Sequence, residues 1–339
     1  MLENIQRLRE RTNVPTLILD EANIRYYTGV AQSGALLIDK EETLVTHDVE
    51  LAQNSSVHYI IKPKDRTSTE LLQLLKKKKI KRLGVALDSI SYPWFKKLTS
   101  SKIKLVDVSK TLSSMRAVKS DQEIEKIAKA CDLADRAMLE IANNLSAGMS
   151  ERQIRQYALS VLPQAEDIAF NFIIASGPNS EYTHVSPSER RLALTDFVIV
   201  DIGFRVDGYN SDLTRTFCLS PSREQKDFYE TMLEAQQLAI AKVHLGASCG
   251  SVYGAVEKFF KKDDLARYWK YSLGHGVGLD IHEAPNLSKG SRDKFKDNMV
   301  FTIEPGIHIP EFGGVRIEDT FLFNKSIKPL TKSEHKLAP

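Results

Sequence analysis

The sequence predicts an α+β chain in two parts: a smaller α/β domain over residues 1–115 and a larger domain over residues 116–339. Three observations carry this. The first hundred or so residues alternate strand-like and helix-like runs, the signature of an α/β domain. A capping-box pattern, Ser120 with Glu123 three residues on, then opens a long helix and sets the boundary between Ser113 and Ser120. Beyond it one order of elements occurs twice, at a period of about a hundred residues.

In the first part, "TLILD", "GALLID", "TLVTHD", "HYIIKP" and "RLGVAL" read as strands, and "LENIQRLRERT" and "TELLQLLKKKK" as helices. The long helix from Asp121 places Ile124, Ile127, Cys131, Ala134, Met138 and Ile141 at helical spacing. A break at "LSAGMS", the helix "ERQIRQYALSVL" and strands up to Phe217 complete one unit. The other comprises the helix "EQKDFYETMLEAQQLAIAKV", a break at "HLGASCG", the helix "SVYGAVEKFF", and the strands "MVFTIEPGIHI" and "GVRIEDTFLF".

Within "VIVDIGFRVDGYNSDLTRTF", Asp207-Gly208 is a strong two-residue hairpin signal, because both central positions of that turn need φ > 0. Pairing Val206 with Tyr209 puts Asp201 opposite Thr214 and makes Asp201 and Asp212 diagonal neighbours on one face. Buried carboxylates need a partner of opposite charge. Glu304 and Glu318 flank the turn-rich "PEFGG", whose interior holds their midpoint, so they too can meet across a hairpin. His275 sits between glycines that let the backbone pass close to a site, and His282 follows seven residues on. Four acids and an imidazole suit two hard or borderline divalent cations, which together polarise a carbonyl and activate water for hydrolysis.

Composition narrows the field. The formal charge of +3 points to neither nucleic acid nor membrane as a partner. The local excess at Lys76 to Arg82 reads as the solvated end of an amphipathic helix, with a polyanion patch as the rival. Three widely spaced cysteines, Cys131, Cys218 and Cys249, form no CxxC pair and suit a reducing cytoplasm. No apolar run approaches the length of a bilayer span, so a soluble intracellular protein is expected.

The motifs "DIG…GYNSDLTRTF", "SGPNSEYTH", "GHGVGLDIHE", "TIEPGIHI" and "GVRIEDT" together resemble the pita-bread metallopeptidases: aminopeptidase P, prolidase and methionine aminopeptidase. An N-terminal domain with "IRYYTGV" resembles that of the creatinase-like branch acting beside proline. The resemblance implies a pita-bread fold with a pseudo-twofold repeat and five metal ligands, Asp201, Asp212, His275, Glu304 and Glu318. Asp212 and Glu318 would bridge two ions, most often manganese, with cobalt or zinc as alternatives. Asp201 would complete one ion, and His275 with Glu304 the other. It further implies that His184 and His282 bind substrate and stabilise the tetrahedral intermediate, that Arg316 orients a ligand carboxylate, and that Glu304 shuttles a proton. A homodimer acting on small peptides with proline second is implied as well.

Two departures bear on substrate. The "TDxRY" motif of many relatives is absent from "VTHDVELAQ", and the arginine that many prolidases carry after "HExP" is Asn286 here. Loss of a bidentate carboxylate partner argues for substrates longer than a dipeptide, so aminopeptidase P activity is expected over strict Xaa-Pro dipeptidase activity. The intact ligand set speaks against a creatinase-type C–N hydrolase and against a non-catalytic peptide-binding module of the same fold.

Overall fold

The computed structural model describes residues 2–339 and divides into two compact units, up to Arg116 and from Ala117 to Pro339. The first unit is built on a six-stranded mixed sheet. Its strands run in the order Tyr59–Ile61, Glu42–Val45, Ala35–Ile38, Thr16–Ile18, Arg82–Val85, Lys104–Asp107. Five of these are the strand-like runs of the sequence, and Lys104–Asp107 adds a sixth, paired parallel to Arg82–Val85. Helix Thr67–Lys77 buries Leu71 and Leu75, one turn apart, against the sheet residues Leu17, Leu37 and Leu83. Its lysine-rich end is exposed at Lys76, Lys77 and Lys79, while Lys78 pairs with Asp39 at 2.9 Å.

The second unit opens with helix Asp121–Asn144, whose N-terminus is closed by the reciprocal Ser120–Glu123 capping box. Two halves follow the same order. Helices Asp121–Asn144 and Glu151–Leu159 precede strands Ile173–Ser176, Val198–Ile202 and Leu213–Phe217. Helices Arg223–Lys242 and Cys249–Lys262 precede strands Gly274–Gly276, Met299–Ile303 and Asp319–Asn324. In each half the second of these three strands lies between the other two. Each half has its own core: Ala134, Met138 and Ile141 pack with Val198, Val200 and Ile202, and Met232, Ala235 and Ala239 with Phe301, Ile303 and Phe321. Among the described residues, no helix is long and apolar enough to cross a membrane.

Candidate metal centre and substrate cavity

The first hairpin turns at Asp207 and Gly208, with φ of +49° and +85°, the two positive values its turn type demands. Val206 pairs with Tyr209, and the same register continues to the Leu213–Phe217 ladder, where Thr214 faces Asp201. Asp201 and Asp212 are both buried, in line with their diagonal placement. The second hairpin closes between Ile309 and Gly313 and pairs Gly306 with Arg316. Its register resumes at Ile303 and Asp319, so Glu304 and Glu318 face one another in the gap between the two ladders.

The hairpins meet most directly at Thr214 and Glu318. Glu318 N–H donates to the Thr214 carbonyl at 3.1 Å, and Thr214 Oγ1 donates to Glu318 Oε2 at 2.8 Å. His275 enters from strand Gly274–Gly276 with Nε2 3.5 Å from Asp212 Oδ2 and 3.4 Å from Glu304 Oε1. Donor atoms of Asp212, His275 and Glu318 all lie within 4.8 Å of one another. A Cβ on Gly274 would meet the Thr302 carbonyl oxygen at 2.1 Å, and one on Gly276 the Ala284 oxygen at 2.1 Å. These glycines admit the neighbouring strands close to the backbone that carries His275.

Arg316 Nη2 holds Asp201 Oδ2 at 2.5 Å, Nε reaches Thr214 Oγ1 at 3.3 Å, and Nη1 donates to the Thr183 carbonyl at 3.3 Å. Burial opposes its charge, yet the carboxylate of Asp201 keeps the guanidinium firmly protonated. His282 stacks edge-on against His275, ring centres 4.2 Å apart, and burial pushes its pKa down. His184 is exposed at the rim, on the segment after the short helix Gly177–Glu181. All eight site residues named from the sequence line one cavity of about 440 Å³.

A family model described as metallopeptidase family M24 matches residues 125–325, which contain all of these residues. The chain belongs to that family. Residues 3–118 match the creatinase/prolidase N-terminal domain. The chain is 33% identical to an Xaa-Pro dipeptidase of Pyrococcus furiosus over 99% of both chains, and 36% identical to one of Pyrococcus horikoshii over 95% of this chain and 93% of that one. The crystal structure of the prolidase from P. horikoshii OT3 superposes with a TM-score of 0.92 at 33% identity, covering 99% of each chain. An X-Pro aminopeptidase from Thermotoga maritima superposes at 0.91 with 27% identity, over 99% of this chain and 98% of that one. The fold is thus the creatinase-type N-terminal domain followed by the M24 pita-bread domain, and the protein is a metallo-exopeptidase.

The residues fit the divalent metal that the family implies. His275 Nδ1 faces the Gly276 carbonyl at 3.1 Å, and burial pushes its pKa down to about 3. A neutral ring must then carry its hydrogen on Nδ1 and turn a bare Nε2 toward two carboxylates, an arrangement that asks for a cation. Asp201 Oδ1 is buried with no hydrogen-bond partner. Burial drives Asp212 and Glu318 well above the usual carboxylate range, reinforced by the charges of the neighbouring acids, and raises Glu304 to about 8.

These acids have folded pKa values above their unfolded ones, so stability from their retained protons is complete below the unfolded values and is lost as pH rises through the folded ones. Between about pH 7 and 9 burial keeps His275 and His282 neutral in the folded protein, and Glu304 titrates. The melting temperature of chelated protein should therefore fall by several degrees across that interval, and a divalent ion added at the upper end should restore it. A flat or rising melting temperature would contradict this origin.

The rest of the cavity wall was not legible in the motifs. Phe170, Ile173, Val185 and Ile281 supply apolar lining, and Tyr271 contributes a buried hydroxyl without a hydrogen-bond partner. Tyr271 lies one helical-repeat interval before His275 but in a non-helical segment, so only its proximity in sequence to "GHGVG" could have drawn attention to it.

Proposed function

We propose that the protein is an Xaa-Pro peptidase using two divalent ions, manganese by preference, and that it acts chiefly as a dipeptidase. The observation that carries the chemistry is the convergence of Asp201, Asp212, His275, Glu304 and Glu318 on one cavity. These five side chains would hold the ions, with Asp212 and Glu318 shared between them and Asp201 steadied by Arg316. When bound, the ions would supply Lewis acidity toward the scissile carbonyl and lower the pKa of water.

The chain's own groups supply the rest. His184 and His282, at the mouth, would donate hydrogen bonds to the carbonyl oxygen as it gains charge. Glu304, its pKa raised by burial, would carry a proton to the leaving nitrogen. That step matters for proline, whose amide nitrogen bears no hydrogen. The apolar lining from Phe170, Ile173, Val185 and Ile281 would receive the pyrrolidine ring. A homodimer working in the cytoplasm belongs to the same reading, as the family resemblance implies.

Dipeptide preference is supported by the Xaa-Pro dipeptidases to which this chain is similar along nearly its whole length. A second reading, aminopeptidase P activity, is favoured by Asn286. It pairs with His275 across the strands, stands exposed, and offers no positive charge to a substrate carboxylate. Hydrolysis of Ala-Pro beside Ala-Pro-Ala by manganese-loaded protein, with a chelated control, separates them. Faster cleavage of Ala-Pro, lost on chelation, is expected. Faster cleavage of the tripeptide would establish the second reading, and cleavage of neither would overturn both.

A further inference from the structure

We propose that Glu151 is a positioning residue for His184, an inference that rests on the role given to His184 above. Glu151 is the first residue of helix Glu151–Leu159 and is fully buried. No lysine or arginine contacts its carboxylate among the described hydrogen bonds. Instead, neutral donors from both ends of one segment surround it. Oε1 accepts from Ser176 N–H and Oγ, each at 2.7 Å, and Oε2 from Ser188 N–H at 2.9 Å and Oγ at 2.6 Å. Asn179 Nδ2 bridges both oxygens at 3.0 and 3.1 Å. Arg190 stands one atom away, donating to Ser176 Oγ at 2.7 Å.

The segment so clasped, 176–188, carries His184, Val185 and Ser186 into the cavity wall. The His184 ring is exposed and touches Thr183 Oγ1 at 3.1 Å, so its place is set by the course of the backbone rather than by packing. The neighbouring Thr183 carbonyl accepts from Arg316, the residue that holds Asp201. One carboxylate thus fixes both ends of the strap on which His184 sits. Every contact it makes is with a donor, so an amide in its place would turn an NH₂ group against donors and loosen one end.

The test is a double-mutant cycle on turnover of the faster of Ala-Pro and Ala-Pro-Ala, using wild type, Glu151→Gln, His184→Ala and the double variant, with metal content measured in each. Glu151→Gln should lower kcat about tenfold at unchanged metal content, and should add less than about twofold once His184 is alanine. Equal factors in both backgrounds would make Glu151 a purely structural anchor and overturn the proposal, as would a silent Glu151→Gln. If His184→Ala alone kept full turnover, the role of His184 itself would fall, which is a different result from additivity. Should Glu151→Gln not fold, Ser188→Ala removes one clasp at the far end and must show the same dependence on His184, with a loss of about threefold.

Discussion

Asp212→Asn is expected to lower hydrolysis of Xaa-Pro substrate by about 10³-fold or more, equivalent to at least about 4 kcal/mol in the barrier. Asp212 is the acid whose oxygen stands beside both His275 and Glu318. The substitution removes one of four negative charges and turns an NH₂ group or a weakly donating oxygen toward the place where both ions would share a ligand. Misfolding would not be the cause. Burial and the charges of Glu318, Asp201 and Glu304 hold Asp212 toward its neutral form in metal-free protein, so a neutral isostere keeps the charge state the folded protein already favours there. The chelated variant should melt no lower than chelated wild type at about pH 8. An Asp212→Asn protein with near-normal turnover would defeat the assignment.

Arg215→Met is expected to cost about 3–5 kcal/mol, the usual result of removing one partner of a buried ion pair. Arg215 is fully buried and spends all five N–H groups: on Asp319 Oδ1 at 2.7 Å and on the carbonyls of Thr214, Glu318, Ser333 and Glu334 at 2.7 to 3.2 Å. Two of those carbonyls belong to the residues that join the hairpins, so the guanidinium braces the site from behind. Burial alone would raise the Asp319 pKa, but Arg215 and then His335 hold it down, and the variant leaves this carboxylate with weaker partners. For a domain of this size the melting temperature should drop by about 10 °C. Adding Asp319→Leu should recover part of the loss, since apolar replacement of both partners avoids a stranded charge. A drop of only a degree or two in Arg215→Met would show that the brace is dispensable.

What could be read from the sequence was local in origin. A β-hairpin obeys a fixed sum of paired residue numbers, so one strong turn at Asp207-Gly208 places Asp201 opposite Thr214 without any knowledge of the rest. The glutamate hairpin was legible for the same reason, although its turn was marked only by a cluster of loop residues around Glu311. The docking of one hairpin on the other through Thr214 and Glu318 is tertiary, and no local pattern encodes it. Resemblance supplied what periodicity could not: the inclusion of His184 and Arg316. Strand Lys104–Asp107 went unread because four residues with two charged ends carry little alternation. The aromatic and aliphatic cavity wall was hidden because Phe170 and Tyr271 look like ordinary core residues until the fold turns them inward.

One cavity is proposed to hold two ions on five side chains. Calorimetric titration of manganese into chelator-stripped protein at about pH 8, wild type beside Asp212→Asn, tests it most directly. Two ions per wild-type chain are expected, and in the variant the loss or severe weakening of both, because Asp212 would serve each. A single ion in wild type, or a variant that still binds two with unchanged affinity, would contradict it.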